Sequence, residues 1–355
     1  MLLSPDEMPS DVLLRRYSLY DTVVLVLTFL LFTGTITVMV KTRTHTMKTY
    51  RYYLINELFW SLLFDIMGNV ICPVTLFPVP CYFGVGIVFP LDQSAMKTML
   101  FVGTFIMVGR GSSLAFQFAY RFVQSIPPSS WFRLKGKVSL GAREIVGLFV
   151  LFVGFHCAII FVGVFCLQGK WSKFPDQERV KKVLIKEDPF FFQIYEKYPN
   201  TLCFGNGTRL GEGVYSLIYI IFFIVASVVV ATTVMYRCIR KSNFSMNTQR
   251  MQLMLFWSLV AQFGVALATL AIPGAFYFIA PFLGVRYLPT LLVYCTFPVL
   301  TQTTLDCVMI LYFIKPYRTY VKKAYLRMSG GNVAEVPSIY TTTEVSQRRV
   351  TLITT

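Results

Sequence analysis

Seven runs of apolar residues, separated by short polar segments, dominate the chain. They are Leu19–Val40, Tyr52–Leu76, Thr98–Phe122, Ile145–Leu167, Val214–Cys238, Gln252–Ala280 and Leu288–Ile314. Crossing a hydrocarbon layer about 30 Å thick takes about 20 helical residues, and every run reaches that length. A backbone in hydrocarbon must satisfy its own hydrogen bonds, which leaves helices as the spanning elements for runs this long. The pattern therefore predicts an all-α integral membrane protein, a seven-transmembrane helix bundle.

The segments between and beyond the runs organise the rest. Residues 1–18 form an N-terminal segment, 19–314 the membrane domain, and 168–213 a long connection between the fourth and fifth spans. That connection is polar and aromatic, with Pro175, Pro189 and Pro199, and is expected to fold over the bundle as a lid. A Pro/Gly-rich turn, Phe77–Gly86, follows the second span. Beyond the seventh, Tyr317, Val321, Tyr325 and Met328 recur at spacings of four and three among lysines and arginines. This predicts a short amphipathic helix over 315–328, lying in the membrane interface. Residues 329–355 are rich in Ser and Thr and read as a disordered tail, either merely solvated or open to phosphorylation and docking on a basic partner. Internal repeats of the kind that build many transporters are missing. The first run is too long for a cleaved signal and reads as an uncleaved signal-anchor.

Composition sharpens the picture through charge. The chain is 55% hydrophobic and only 14% charged, with a formal net charge of +16. Basic residues border the membrane unevenly. Lys41, Arg43, Lys48 and Arg51 follow the first span; Arg121, Arg133, Lys135, Lys137 and Arg143 follow the third. Arg237, Arg240, Lys241 and Arg250 lie between the fifth and sixth, and more follow the seventh. Outside the long connection, the opposite side carries only Arg15, Arg16, Lys97 and Arg286. Positive segments are retained in the cytoplasm, so the N-terminus lies outside and the C-terminus inside. Scattered over membrane-bordering loops, this charge suits anionic membrane lipid rather than nucleic acid.

Six cysteines sit in apolar runs (Cys72, Cys157, Cys166, Cys238, Cys295, Cys307), where Cys behaves as a small core residue. Cys81 and Cys203 fall in outer connections facing an oxidising compartment, so a Cys81–Cys203 disulfide is expected. Asn206-Gly207-Thr208 is an outward-facing glycosylation sequon; Asn243-Phe244-Ser245 falls inside and should stay bare. Pro73, Pro273 and Pro298 are candidate hinges in the second, sixth and seventh spans.

Ionisable groups in hydrocarbon are costly and are read as functional. Glu57, Asp65, Arg110, His156 and Asp306 qualify. Arg110 lies 11 residues before Arg121, about 16 Å above the inner end of its helix, at the depth expected for Asp65. An Arg110–Asp65 bridge with Asp306 in reach is the expectation. It reads either as a polar switch with two arrangements or as an ion pair that only locks packing. Lone His156 reads as a core residue. Phe101, Phe105, Phe276, Tyr277, Tyr287 and Tyr294 lie near outer ends and are candidates to line a pocket for a small, mostly apolar ligand, although packing also uses aromatics. No metal-ligand cluster, nucleophile elbow or phosphate loop is present in the sequence, so neither enzymatic activity nor a cofactor is expected.

Short stretches narrow the class. Thr46-Met47-Lys48-Thr49-Tyr50-Arg51-Tyr52-Tyr53-Leu54-Ile55-Asn56, then Phe59-Trp60-Ser61 and Asp65, resembles the entry to the second span of nematode serpentine chemoreceptors, seven-transmembrane G-protein-coupled receptors. Tyr195-Glu196-Lys197-Tyr198-Pro199 resembles their outer loop, Asn247-Thr248-Gln249-Arg250-Met251-Gln252 with Gln262 their sixth span, and Lys315-Pro316-Tyr317-Arg318 their seventh-span exit. Class H fits best, with class I of the same superfamily the alternative. The resemblance implies chemosensation of a small molecule, coupling to a heterotrimeric G protein, and a multi-pass place in the plasma membrane of sensory cilia. Arg121, Arg237, Arg240 and Arg250 are the candidates for the G-protein face, or they only obey the positive-inside rule. An arrestin-like protein is a possible partner of the tail. The chain departs from the rhodopsin-like pattern: Arg121 follows Tyr120 rather than an acid, and Asp306-Cys307-Val308-Met309-Ile310 replaces Asn-Pro-x-x-Tyr. Arg110 falls near the level where such receptors bind sodium, which predicts sodium-insensitive signalling. The seventh run carries no lysine, which excludes a retinal Schiff base there. A seven-helix ligand-gated channel or small-solute transporter is the alternative reading.

Overall fold

The computed structural model describes residues 3–42, 48–86, 92–125, 176–203, 226, 228–241 and 246–329. The fourth run with His156, Cys157 and Cys166, the sequons at Asn206 and Asn243, and the tail 330–355 lie outside these residues. Among the described residues, five helices are long and apolar enough to cross a membrane. The fold is a bundle of membrane-spanning helices with the N-terminus outside.

The first span is α1 (Asp11–Lys41), which starts well before its apolar run. Ser10 sets the start: its Oγ accepts the Leu13 N–H at 3.3 Å, satisfying one of the free donors at a helix N-terminus. Asp11 adds a carboxylate where the helix dipole favours one. The second span, α2 (Lys48–Ile71), stops earlier than its run suggests. Cys72 is left-handed with φ 41°, and its N–H still donates to Gly68 O at 2.6 Å. Pro73 then opens a strand. Pro73 is therefore a terminator and not a hinge within the second span: its ring disfavours helical conformation at the preceding residue.

Three short strands cap the outer end. β1 (Pro73–Thr75), β2 (Cys81–Gly84) and β3 (Leu202–Cys203) form an antiparallel sheet in that order. Gly86 runs so close to the Val70 carbonyl that no side chain fits there. The long outer connection contributes α4 (Gln177–Glu187) and α5 (Phe190–Lys197). α4 is capped by Asp176, whose Oδ1 accepts the Glu178 N–H at 3.2 Å. This cap shares one apolar core with the outer ends of the first and seventh spans, built on Tyr17, Phe83, Phe191, Tyr195, Val293 and Leu300.

The third span is α3 (Gln93–Ser125), packed along α2. Residues 228–241 form α6, the inner part of the fifth span. The sixth comprises α7 (Met246–Ala266), a π-helical turn (Leu267–Ala271) and α8 (Ile272–Ile279). The wide turn directly precedes Pro273, whose missing N–H loosens the backbone ladder. The seventh is split into α9 (Leu288–Leu300) and α10 (Gln302–Phe313) at Thr301, three residues past Pro298. α11 (Lys315–Met328) follows as a short amphipathic helix, with Tyr317 buried and Val321, Tyr325 and Met328 exposed. A second apolar core, around Met39, Tyr50, Leu54, Leu255, Ile310 and Tyr317, fills the inner half. Between the two cores lies a buried polar waist.

Candidate functional site

The waist is built by polar residues that recur at helical spacing. Glu57, Ser61, Asp65 and Asn69 lie four residues apart on α2, and Arg110, Ser113, Gln117 and Arg121 lie three or four apart on α3; all eight are buried. Each set forms one stripe on one helix face. The seventh span adds Gln302, Thr303 and Asp306, the sixth Ser258 and Gln262, and the first Asp21, Thr28 and Thr35. The sequence places Asp65, Arg110 and Asp306 together at mid-depth; the structure extends this cluster into a column running most of the way through the bundle. The periodicity of the stripes was the available signal. Asp21, inside the first apolar run, was missed. It is buried at the outer end of the column, where its Oδ2 accepts from Cys72 Sγ at 3.0 Å.

Glu57, Asp65, Arg110 and Asp306 come together at mid-depth, 4, 4, 6 and 2% exposed. Arg110 acts electrostatically on all three carboxylates. The expected Arg110–Asp65 bridge is not formed: the Lys197–Asp11 pair is the one salt bridge among the described residues. Arg110 instead lies over the Phe64 ring, 4.8 Å from its centroid, and its terminal nitrogens have no hydrogen-bond partner. A planar guanidinium is attracted to the face of an aromatic ring. Ser61 Oγ donates to Glu57 Oε1 at 3.2 Å. Thr28 and Thr304 share a 2.6 Å hydroxyl contact that ties the first span to the seventh.

At the inner end, Gln117 Nε2 donates both to the Tyr50 hydroxyl at 2.9 Å and to Gln262 Oε1 at 3.0 Å. One amide thus joins the second, third and sixth spans. Arg121, one turn below, is buried over the Tyr50 ring. The structure separates the four arginines: Arg121 is covered, while Arg237, Arg240 and Arg250 are exposed on the inner ends of the fifth and sixth spans.

At the outer end, the sulfurs of Cys81 and Cys203 are joined, and the two residues face each other across β2 and β3. The N-terminal segment is tied to the cap: Leu3 N–H donates to Asp188 Oδ2 at 3.2 Å, and Lys197 Nζ to Asp11 Oδ1 at 2.6 Å. That hydrogen bond from Lys197 holds the Asp11 carboxyl below its ordinary value, and the same bond raises Lys197. Among the described residues, the six candidate aromatics lie in separate places. Phe105 stands edge-on to Trp60, Tyr277 to Phe77, and Tyr294 packs on Phe297, while Phe101, Phe276 and Tyr287 are exposed. Two clefts open elsewhere on the outer side. One of about 490 Å³ runs along α1 beside Asp11, Arg15, Thr22, Val85 and Tyr198. The other, about 260 Å³, lies between Leu3, Glu7, Pro78, Pro281 and Arg286. Among the described residues no group of side chains could hold a metal ion.

The family model described as serpentine type 7TM GPCR chemoreceptor Srh matches residues 16–327. The chain belongs to this family. The match agrees with the resemblance to nematode serpentine receptors, and class H is the class it fits. No curated protein matches the chain. The receptor is a multi-pass membrane protein with a chemosensory role, and its family is one of receptors rather than enzymes. The match takes in all seven apolar runs and most of α11, including the residues of the fourth span.

Proposed function

We propose that the receptor binds a small molecule in its outer half and activates a heterotrimeric G protein at its inner face. The observation that carries this reading is the Gln117–Gln262 hydrogen bond above a covered Arg121. It holds the third and sixth spans together in a resting arrangement. Above it the sixth span has a π-helical turn before Pro273, a place where its inner half can swing. Parting of the two spans breaks the amide bond and opens a cytoplasmic cleft, with Arg121 on one wall and Arg237, Arg240 and Arg250 around its rim. The ligand enters from the outer side, past the disulfide-pinned cap. Asp65, Arg110 and Asp306 form the polar switch between the two ends. An arrestin-like partner would meet the Ser/Thr-rich tail, α11 rests on inner-leaflet lipid, and the plasma membrane of a sensory cilium is the proposed location.

The test is a ligand panel in cells with a promiscuous G-protein reporter, run beside Arg121→Ala. A response that the substitution abolishes at unchanged surface expression supports coupling; an equal response in the variant removes Arg121 from it. One observation favours a second reading, a ligand-gated channel or small-solute transporter: the buried polar column supplies the aligned polar residues such a path needs. Current through purified protein in bilayers free of G protein would establish that reading in place of the first.

A further inference from the structure

The middle of the column has an unbalanced charge inventory. Three buried carboxylates, Glu57, Asp65 and Asp306, face one guanidinium, Arg110. The elements packed against Asp306 add little among the described residues. α1 brings Thr28, Thr35 and, further out, Asp21, which faces Asp65; α7 brings Ser258 and Gln262; α10 itself brings the Cys307 thiol. No second cation lies at this depth among the described residues. Hydrogen bonds do not compensate. Glu57 Oε2, both oxygens of Asp65 and Asp306 Oδ1 have no bonded protein partner, and the Thr303 hydroxyl approaches Asp65 without completing one. Three full negative charges against one positive, buried and with most of their oxygens unbonded by protein donors, is an arrangement that burial makes prohibitive. Carboxyl groups that share a site do not all ionise together.

We propose that this layer is a proton-binding site: the Glu57–Asp65–Asp306 trio holds protons at neutral pH, so that the layer as a whole is close to neutral. A protonated carboxyl is also a donor, and it supplies the hydrogen bonds that the oxygens around it lack. The arrangement stores a defined exchange. Should Arg110 leave Phe64 and close on Asp65 or Asp306, that carboxyl gives its proton to water and becomes the carboxylate partner of the guanidinium, and the charge of the layer falls by one. A proton would then accompany any rearrangement of the polar waist, making it a co-ligand of the receptor.

The experiment uses the full chain in lipid nanodiscs, without ligand or G protein, so its outcome is independent of the coupling proposed above. Infrared absorption at neutral pH distinguishes the carbonyl of a protonated carboxyl from a carboxylate. Wild type is compared with Glu57→Gln, Asp65→Asn and Asp306→Asn, which keep side-chain size. The expected result is a protonated-carboxyl band that at least one substitution lowers by one carboxyl's absorbance, with thermal stability nearly unchanged in that variant, because an amide and a neutral acid carry the same charge. If every folded variant loses only carboxylate absorbance, or if wild type has no protonated band, the proposal is overturned. Three variants at different positions keep the test decisive where one fails to fold.

Discussion

The guanidinium carbon of Arg121 sits 3.4 Å from the ring centroid of Tyr50, and the hydroxyl of that same ring takes the amide hydrogen of Gln117. The arginine that a rhodopsin-like receptor would pair with an acid is held here by an aromatic face, within a neutral amide network. Cation–π contact with a desolvated arginine contributes about 2 kcal/mol, so the missing acid does not leave the side chain unsupported.

Loosening this network is expected to raise signalling in the absence of ligand. Gln262→Leu removes one neutral hydrogen bond, about 1 kcal/mol, which shifts a two-state balance about fivefold. Basal reporter activity, normalised to surface expression, should rise by about that factor, and Tyr50→Phe should give a smaller rise because it keeps the ring under Arg121. Basal activity unchanged in both would remove the amide bond from the resting state.

The Cys81–Cys203 bridge closes a separation of 122 residues. In a freely unfolding chain a loop that long would contribute about 4–5 kcal/mol. Spans that stay inserted after unfolding reduce this. Cys81→Ser, Cys203→Ser and the double variant should therefore lose thermal stability equally, since any one of them removes the whole bridge. A double variant much worse than either single one would show that the sulfurs act separately.

Gly109 on α3 meets Trp60 on α2 so closely that an added Cβ would lie 2.5 Å from the indole. Gly109→Ala should cost about 1–3 kcal/mol by forcing the two longest-packed spans apart. Adding Trp60→Leu should recover part of the loss. Thermal unfolding of the two single variants and the double variant in detergent measures both effects, and full additivity would place the strain elsewhere.

The Asp11–Lys197 tie is exposed, 70 and 55% at the two side chains, so its contribution is at most about 1 kcal/mol. Its sign with pH follows from the two shifts. Asp11 is lowered from 3.8, so its share is complete above that value and is lost as pH falls through the depressed one. Lys197 is raised from 10.5, so its share is complete below that value and is lost as pH rises through the elevated one. Asp11→Asn should thus lower the unfolding temperature slightly at neutral pH and not at all in strong acid. A difference that persists unchanged in strong acid would contradict the ion pair.

The membrane frame was legible because length and hydropathy act over whole runs of about 20 residues. Pro298 marked the break in the seventh span and Pro273 the loosened turn of the sixth for a local reason, the missing N–H. The lid and its Cys81–Cys203 bridge were legible, but the strands of the cap were not: strands of two to four residues, such as Leu202–Cys203, carry too little alternation to read. Pro73 misled because the apolar run continues past it through Val74 and Leu76, residues buried in the cap rather than in a helix. Aromatics are no easier to assign, since Tyr277 and Phe105 look the same in sequence whether they meet a ligand or another ring. The polar column was present as spacing on α2 and α3, yet only assembly showed which faces meet, and it showed Arg110 on Phe64 where charge alone suggested Asp65.

The break at Thr301 divides the seventh span between the two apolar cores, Val293 and Leu300 in the outer one and Cys307 and Ile310 in the inner. Because the two cores share no residue among the described ones, a substitution that reshapes the outer core does not act directly on the packing of the inner. Under the function proposed above, the outer half can thus drift through many shapes while the inner half keeps its sequence, and a change of ligand needs no compensating change at the cytoplasmic end.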